Sequence, residues 1–227
     1  MKNQSRFDFN QAAAVYDEWF STPMGSYYDR VEKRAINRAL KNVSGKKLLE
    51  IGCGTGHWSK YFSALGFSVL GIDISFEMLK KTFRKRIPWA EFIQSNAHYL
   101  PLHNGVFDIA VLITAIEFID EPHNAIKEVI RCLKKPGGFL LIGTLNAKSR
   151  LNRKRTANKE ITYHQASMLS IKHLQELLIP YGKPTIYTCA FSLNPARPIP
   201  VVDSIFDSFA KTLRLQSGDI IIGEVRL

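Results

Sequence analysis

An apolar strand that runs straight into three alternating glycines constrains this chain more than any other feature. Leu48-Leu49-Glu50-Ile51 leads into Gly52-Cys53-Gly54-Thr55-Gly56, and a helical run, His57 to Leu65, follows at once. Glycines at such a turn supply backbone angles that other residues avoid and remove the β-carbon. A ligand can then lie against the main chain near the positive end of the next helix. At the top of an open parallel sheet, ligands also bind at this place on topological grounds. A carboxylate follows at the expected distance: Asp73 ends the next strand-like run, Val69-Leu70-Gly71-Ile72-Asp73. It can accept hydrogen bonds from both hydroxyls of a ribose. The plainer reading is that Asp73 caps a helix starting near Phe76.

The dinucleotide fingerprint wants Gly-x-Gly-x-x-Gly, and here the third glycine comes one residue early, with His57 after it. Glu50, directly before the turn, repels a pyrophosphate and suits an ammonium group. Both features weaken a nicotinamide or flavin reading and favour an amino-acid-like cofactor. A dinucleotide oxidoreductase stays open as a second class, separable by calorimetry.

From Lys46 onward, short β-rich runs alternate with helical stretches: Leu48 to Ile51, Ser68 to Ile72, Glu91 to Gln94, Phe107 to Ile113 and Phe139 to Gly143. That alternation predicts an α/β fold with a parallel sheet. Two helices are expected before it, Asn10 to Phe20 and Tyr27 to Val43, the second capped by Ser26 with Asp29 three residues on. Pro122 suits the first turn of a helix that Pro136-Gly137-Gly138 ends. A helix near Ser170 to Ile179 precedes strand patterns at Thr185 to Phe191 and Asp219 to Leu227. Between those two strands, Asn194 to Pro200 and a helix carrying Ile205, Phe206, Phe209 and Leu213 read as an insertion over the site.

Leu48 to Gly56, Gly71 to Met78, Ser95 to Leu102 with Val106-Phe107-Asp108, and Ile126 to Gly138 together resemble the class I S-adenosylmethionine-dependent methyltransferases, in particular the type 11 methyltransferase-domain group. The resemblance runs from about Lys46 to Thr144. It implies a doubly wound, mostly parallel, seven-stranded Rossmann-like sheet with N-terminal helices. It further implies one methyltransferase domain, with residues 1–45 as a helical cap, 46–145 as the cofactor-binding core and 146–227 carrying a basic loop and the insertion. By that resemblance S-adenosylmethionine is the cofactor and S-adenosylhomocysteine the product. Glu50 and the Gly52, Gly54 and Gly56 turn would hold the methionine portion, Asp73 the ribose, and Ile74 and Met78 the adenine. Asn96-Ala97-His98-Tyr99-Leu100-Pro101 looks like the family's Asp-Ala-x-x-Leu-Pro stretch with Asn96 in place of the acid. An amide carbonyl still accepts the hydrogen bond of the adenine amino group. Tyr16, within the Phe9 to Glu32 stretch that resembles the family's cofactor-covering helices, would touch the methionine carboxylate; equally, Tyr16, Trp19 and Phe20 read as the apolar side of a helix.

Methyl transfer mainly requires acceptor and methyl held in line, about 3 to 3.5 Å apart, so little acid–base machinery is compulsory. The positions facing the methyl would be Thr114, Ala115, Ile116 and Glu117, just past the fourth strand. The Asn/Asp-Pro-Pro-Tyr/Phe box of adenine- and glutamine-amino methyltransferases is not there. Glu117 and His123 are candidate bases, and the sequence assigns no catalytic residue.

Charge bears on the acceptor. Lys and Arg outnumber Asp and Glu by 31 to 20, which favours anionic partners. Asn146 to Glu160 holds six cations against one acid and reads as a flexible basic flap or a solvated loop; Lys80, Lys81, Arg84, Lys85 and Arg86 form a second cluster. A small-molecule acceptor is the leading expectation, anionic if the basic tract recruits it. An RNA methyltransferase and a non-catalytic nucleic-acid-binding module are the alternatives, the latter with a steep salt dependence. Cys53, Cys132 and Cys189 lack the spacing of a zinc or dithiol site and read as reduced core thiols. Residues 1–10 lack a secretory apolar run, and Ile109 to Ile116 is too short to span a bilayer, so a cytoplasmic protein without a membrane span is expected.

Overall fold

The computed structural model describes residues 9–158, 165–191 and 215–227. Its strands are β1 (Lys47–Ile51), β2 (Ser68–Asp73), β3 (Ala90–Gln94), β4 (Ile109–Ile113), β5 (Phe139–Leu145), β6 (Thr185–Cys189) and β7 (Ile220–Arg226). They form one sheet in the order β3-β2-β1-β4-β5-β7-β6. The first five are parallel, and β7 runs antiparallel to both β5 and β6. This is the mostly parallel, doubly wound α/β sheet that the alternation predicts. The strand order reverses between β1 and β4, so a crevice opens there at the carboxyl ends of the strands. All residues of β4 and β5 are buried, because helices cover both faces of the sheet; that is why Ile109 to Ile113 reads as an unbroken apolar run.

The described helices are α1 (Phe9–Ala12), α2 (Glu18–Ser21), α3 (Pro23–Leu40), α4 (His57–Ala64), α5 (Phe76–Arg84), α6 (Pro122–Cys132), α7 (Arg150–Ala157) and α8 (Ile171–Leu178). On one side of the sheet Leu48, Ile109, Val111 and Leu141 pack with Ile36 of α3 and Phe62 of α4. On the other, Leu49, Ala110, Leu112 and Ile142 pack with Ile126 of α6 and Leu174 of α8. The strand period of two sends neighbouring residues to opposite layers.

Four expectations are corrected. The helix expected from Asn10 to Phe20 is two short ones separated by a turn, and Asp17, directly before the second, bonds Thr55 and Lys85. The next helix starts at Pro23, not Tyr27: Thr22, not Ser26, is its cap, with the Thr22 hydroxyl accepting from the Gly25 N–H at 3.0 Å and Pro23 in the first turn. The expected flap at 146–160 is largely helical: Ser149 caps α7, whose Asn152 donates to the main-chain carbonyls of Asn146 and Asp219. Strand β6 stops at Cys189, before Ala190 takes a φ of 62°. Residues 159 and 160, and the insertion expected over 194–213, lie outside the described residues. The three cysteines are buried thiols outside any disulfide. Among the described residues no helix is long and apolar enough to cross a membrane.

Candidate functional site

The site grows from the turn after β1. Gly52 (φ 74°) and Gly54 (φ 54°) stand in the left-handed region. A β-carbon on Gly52 would lie 2.6 Å from that of Ala115, so the turn is pressed against the loop after β4. One on Gly54 would meet nothing nearer than the Tyr16 ring at 3.9 Å, and it would project into open space. The N–H groups of Gly52 and Cys53 donate to the Ile72 carbonyl at 2.7 and 3.0 Å. The Gly54 N–H donates to Asp73 Oδ2 at 2.7 Å, and the Ser75 N–H donates to Asp73 Oδ1 at 2.8 Å. Asp73 is not the cap of α5, since the Ser75 hydroxyl accepts from the Met78 N–H at 3.2 Å. Burial raises the pKa of the Asp73 carboxyl, against the opposing bonds from Ser75, Gly54 and Ile74.

A cavity of about 690 Å³ lies along this turn, bounded by Gly52, Gly54, Asp73, Ile74 and Met78 on the β1–β2 side. Asn96 and Ala97 close it beyond β3, Thr114 and Ala115 close it after β4, and Tyr16 covers it from the N-terminal segment. Asn96 Oδ1 already accepts from the His98 N–H at 3.0 Å and lies 2.8 Å from His98 Nδ1. Thr114 holds a φ of 47°, a strained value for a non-glycine residue, while its N–H donates to the Gly143 carbonyl at 2.7 Å.

Two predicted residues stand behind the cavity wall. Glu50 is buried beneath the turn and accepts from the Ser59 hydroxyl at 2.5 Å; burial raises its pKa to about 8 despite that bond. Gly56 serves packing, as a β-carbon there would lie 2.7 Å from Thr82 and 2.9 Å from Ile87. Sequence reasoning missed Phe9, His98, Phe118 and Ile119 as cavity residues. For Phe118 and Ile119 the signal was their place directly after Thr114 to Glu117.

A second cavity, of about 1020 Å³, adjoins the first: Phe9, Tyr16, Thr114 and Phe118 border both. Its remaining wall is aromatic, with Trp19, Phe20, Tyr28 and Trp58, and it holds two charged residues, Glu32 and Arg155. Glu32 is 5% exposed, and its pKa is raised to about 8, first by burial, then by Asp29 and Glu117, with Lys33 opposing. The Arg155 guanidinium lies 5.9 Å from the Tyr28 ring centroid, and the Tyr28 hydroxyl donates to Asp219 Oδ2 at 2.5 Å. Of the candidate bases, Glu117 is buried with Thr144 and Leu145 as donors and reaches neither cavity wall; burial raises its pKa to about 7. His123 is exposed on α6 and lines neither cavity. Ile116 likewise points into the core.

The N-terminal segment is fastened over the turn by polar contacts. The Thr55 hydroxyl donates to Asp17 at 2.5 Å, Lys85 pairs with Asp17 at 2.7 Å, and the His57 ring bonds Asp29 at 2.6 Å while stacking on Phe20 at 3.6 Å. Burial works against the Asp29 charge, but the bonds from His57 and Lys33 outweigh it and lower the pKa.

The methyltransferase-domain family matches residues 24–182. An uncharacterised protein of Methanocaldococcus jannaschii is 32% identical over 77% of this chain and 80% of its own length. A malonyl-[acyl-carrier protein] O-methyltransferase of Pectobacterium atrosepticum is 29% identical over 60% of this chain, and the match spans 51% of that enzyme. Among solved structures, an S-adenosylmethionine-dependent methyltransferase of Thermotoga maritima, described as a possible histamine N-methyltransferase, superposes with a TM-score of 0.71 over 96% of this chain and 97% of its own, at 24% identity.

Proposed function

Since the chain belongs to the methyltransferase-domain family of S-adenosylmethionine-dependent enzymes, we propose that it methylates a small molecule held in the aromatic cavity. The observation that carries this reading is the shared wall. Phe9, Tyr16, Thr114 and Phe118 border the cavity at the glycine turn on one side and the aromatic cavity on the other.

The residues present fit the cofactor. The open space above Gly54 accommodates a chain lying on the main chain there, and the apolar side chains of Ile74 and Met78 suit a flat base. In this reading Gly52, Gly54 and Tyr16 hold the methionine portion, and the remaining lone pairs of Asp73 take the ribose hydroxyls. Asn96 and Ala97 border the base. Glu50 acts from beneath, by fixing the turn through Ser59. The cofactor supplies an electrophilic methyl group on sulfur; the chain's task is to align the acceptor with it and to exclude water. Residues 1–45 serve as the cap, 46–145 as the cofactor core, and 146–227 complete the acceptor side of one methyltransferase domain.

An RNA acceptor draws less support. Arg155, from the most basic tract, is buried and lines the second cavity, and Lys80 of α5 and Lys85 directly after it pair with Glu77 and Asp17. Calorimetry with S-adenosylhomocysteine, followed by radiolabelled methyl transfer onto small-molecule and RNA extracts, tests the reading. Label confined to RNA would overturn it.

A further inference from the structure

We propose that the acceptor is a small amine, and that Glu32 is the residue that holds its nitrogen. This rests on the methyltransferase reading and names the substrate class of the same site.

Glu32 sits on α3, inside the aromatic cavity, 5% exposed. No described residue donates a hydrogen bond to its carboxylate. A buried carboxyl group without donors is costly, and is kept where a ligand completes it. The other acids of the molecule show the contrast: Glu50 has Ser59, Glu117 has Thr144 and Leu145, and Asp219 has Tyr28.

The surrounding charges select a cation. Those acting on Glu32 are Asp29 and Lys33 on its own helix and Glu117 from the loop after β4, two acids against one base. Arg155, across the cavity from α7, is coupled to Asp219 and to the Tyr28 ring. The walls suit the same ligand, because aromatic rings attract a positive group and Trp19, Tyr28 and Trp58 line the cavity; Arg155 over the Tyr28 ring at 5.9 Å and Lys33 over Trp58 at 5.8 Å already use that attraction. A neutral alcohol gains little from either feature, whereas a cation beside Glu32 favours its ionised form.

Glu32 also has the basicity to accept a proton from a bound ammonium, since burial and its acidic neighbours hold its carboxyl well above the ordinary glutamate value. The balance closes: the ammonium first gives one proton to the Glu32 carboxylate, which leaves a lone pair on nitrogen; that pair forms the N–C bond as the sulfonium C–S bond breaks with its electron pair left on sulfur, the methylated amine leaves as a cation, and the proton on Glu32 passes to water. Thr114, on the wall common to both cavities, marks where nitrogen and methyl meet.

The test is calorimetry of the whole chain, first with S-adenosylhomocysteine alone, then with 2-phenylethylamine and 2-phenylethanol added to the protein saturated with it. The amine is expected to bind roughly tenfold or more tightly than the alcohol. Glu32→Gln is expected to erase that preference while keeping the affinity for S-adenosylhomocysteine. Equal binding of the two probes, binding of neither, or an amine preference that survives Glu32→Gln overturns the proposal. The comparison of probes on the unaltered protein decides by itself if the variant does not fold. Loss of S-adenosylhomocysteine binding would instead strike the methyltransferase reading, so the two failures are distinct.

Discussion

The two cavities share a wall and are built from different material. The first is made of strand ends and main chain, and its acid, Asp73, has each oxygen fixed by a backbone N–H, from Gly54 and from Ser75. The second is made of side chains from α2, α3, α4, α7 and β7, and its acid, Glu32, accepts from no described residue. A carboxylate oriented by the backbone is set before a ligand arrives; one without donors is completed by the ligand. In the proposed reading, recognition of the cofactor and choice of the acceptor reside in separate elements, and the relatives carry names that differ in the acceptor.

The contrast breaks most visibly at Asp73. Asp73→Ala is expected to weaken S-adenosylhomocysteine binding roughly 100-fold, since charged hydrogen bonds are lost and two N–H groups are orphaned. Amine binding measured on the same variant should stay within about twofold; a parallel loss in both would make the cavities one site. Gly52→Ala sharpens the role of the turn: a β-carbon at φ 74° and 2.6 Å from Ala115 should cost about 2 kcal/mol. A thermal midpoint lowered by roughly 4 to 8 °C would show it, and no shift would mean that the turn is not pressed against the loop after β4.

Acidity distinguishes the regions next. Glu32 and Glu50 titrate near 8 and Glu117 near 7 when folded, above the ordinary 4.5, so the folded chain binds more protons than the unfolded one between these values. Their contribution is intact below about pH 4.5 and is lost as the pH rises through 7 to 8, at about 1 kcal/mol per pH unit for each group at most. Thermal midpoints recorded from pH 6 to 9 should fall, and fall less steeply in Glu32→Gln. Identical slopes would place Glu32 in a wetter setting than its burial implies. Asp29 has the opposite sign: its pKa is lowered, so its contribution is lost only on acidification. The smallest effect is expected at the clasp. Asp17→Asn removes a half-exposed pair with Lys85, about 0.5 kcal/mol, and stopped-flow release of S-adenosylhomocysteine should quicken about twofold.

The first cavity was legible because its parts are local. Strand, glycines and the acid one strand later lie within Leu48 to Asp73, and the period-two pattern fixes which side each residue takes. Glu50 and Gly56 carry the same local signature yet stand behind the wall, since a motif specifies a turn and not which of its atoms reach the ligand. The second cavity was illegible because no segment contains it. Along α3 the spacing of Val31, Ala35 and Ala39 marks an apolar stripe, and Tyr28, Ile36 and Leu40, at four-residue steps from Glu32, are buried with it. That spacing does not say that Trp19, Trp58 and Arg155, from three other helices, line the same cavity. Arg155 reads as one of six cations in a loop until the bonds of Asn152 to Asp219 hold that segment as a helix.

One consequence concerns timing during synthesis. Every wall of the cofactor cavity has left the ribosome once residue 119 has emerged. The acceptor cavity waits for Ile220, and its Tyr28 waits for Asp219. Strand β7 also joins β5 to β6, roughly 75 residues after Leu145. At ordinary elongation speeds that is a delay of about 4 to 15 s during which β5 stands as an open edge. The residues lining the two cavities are thus completed at different points of synthesis, those of the glycine-turn cavity first.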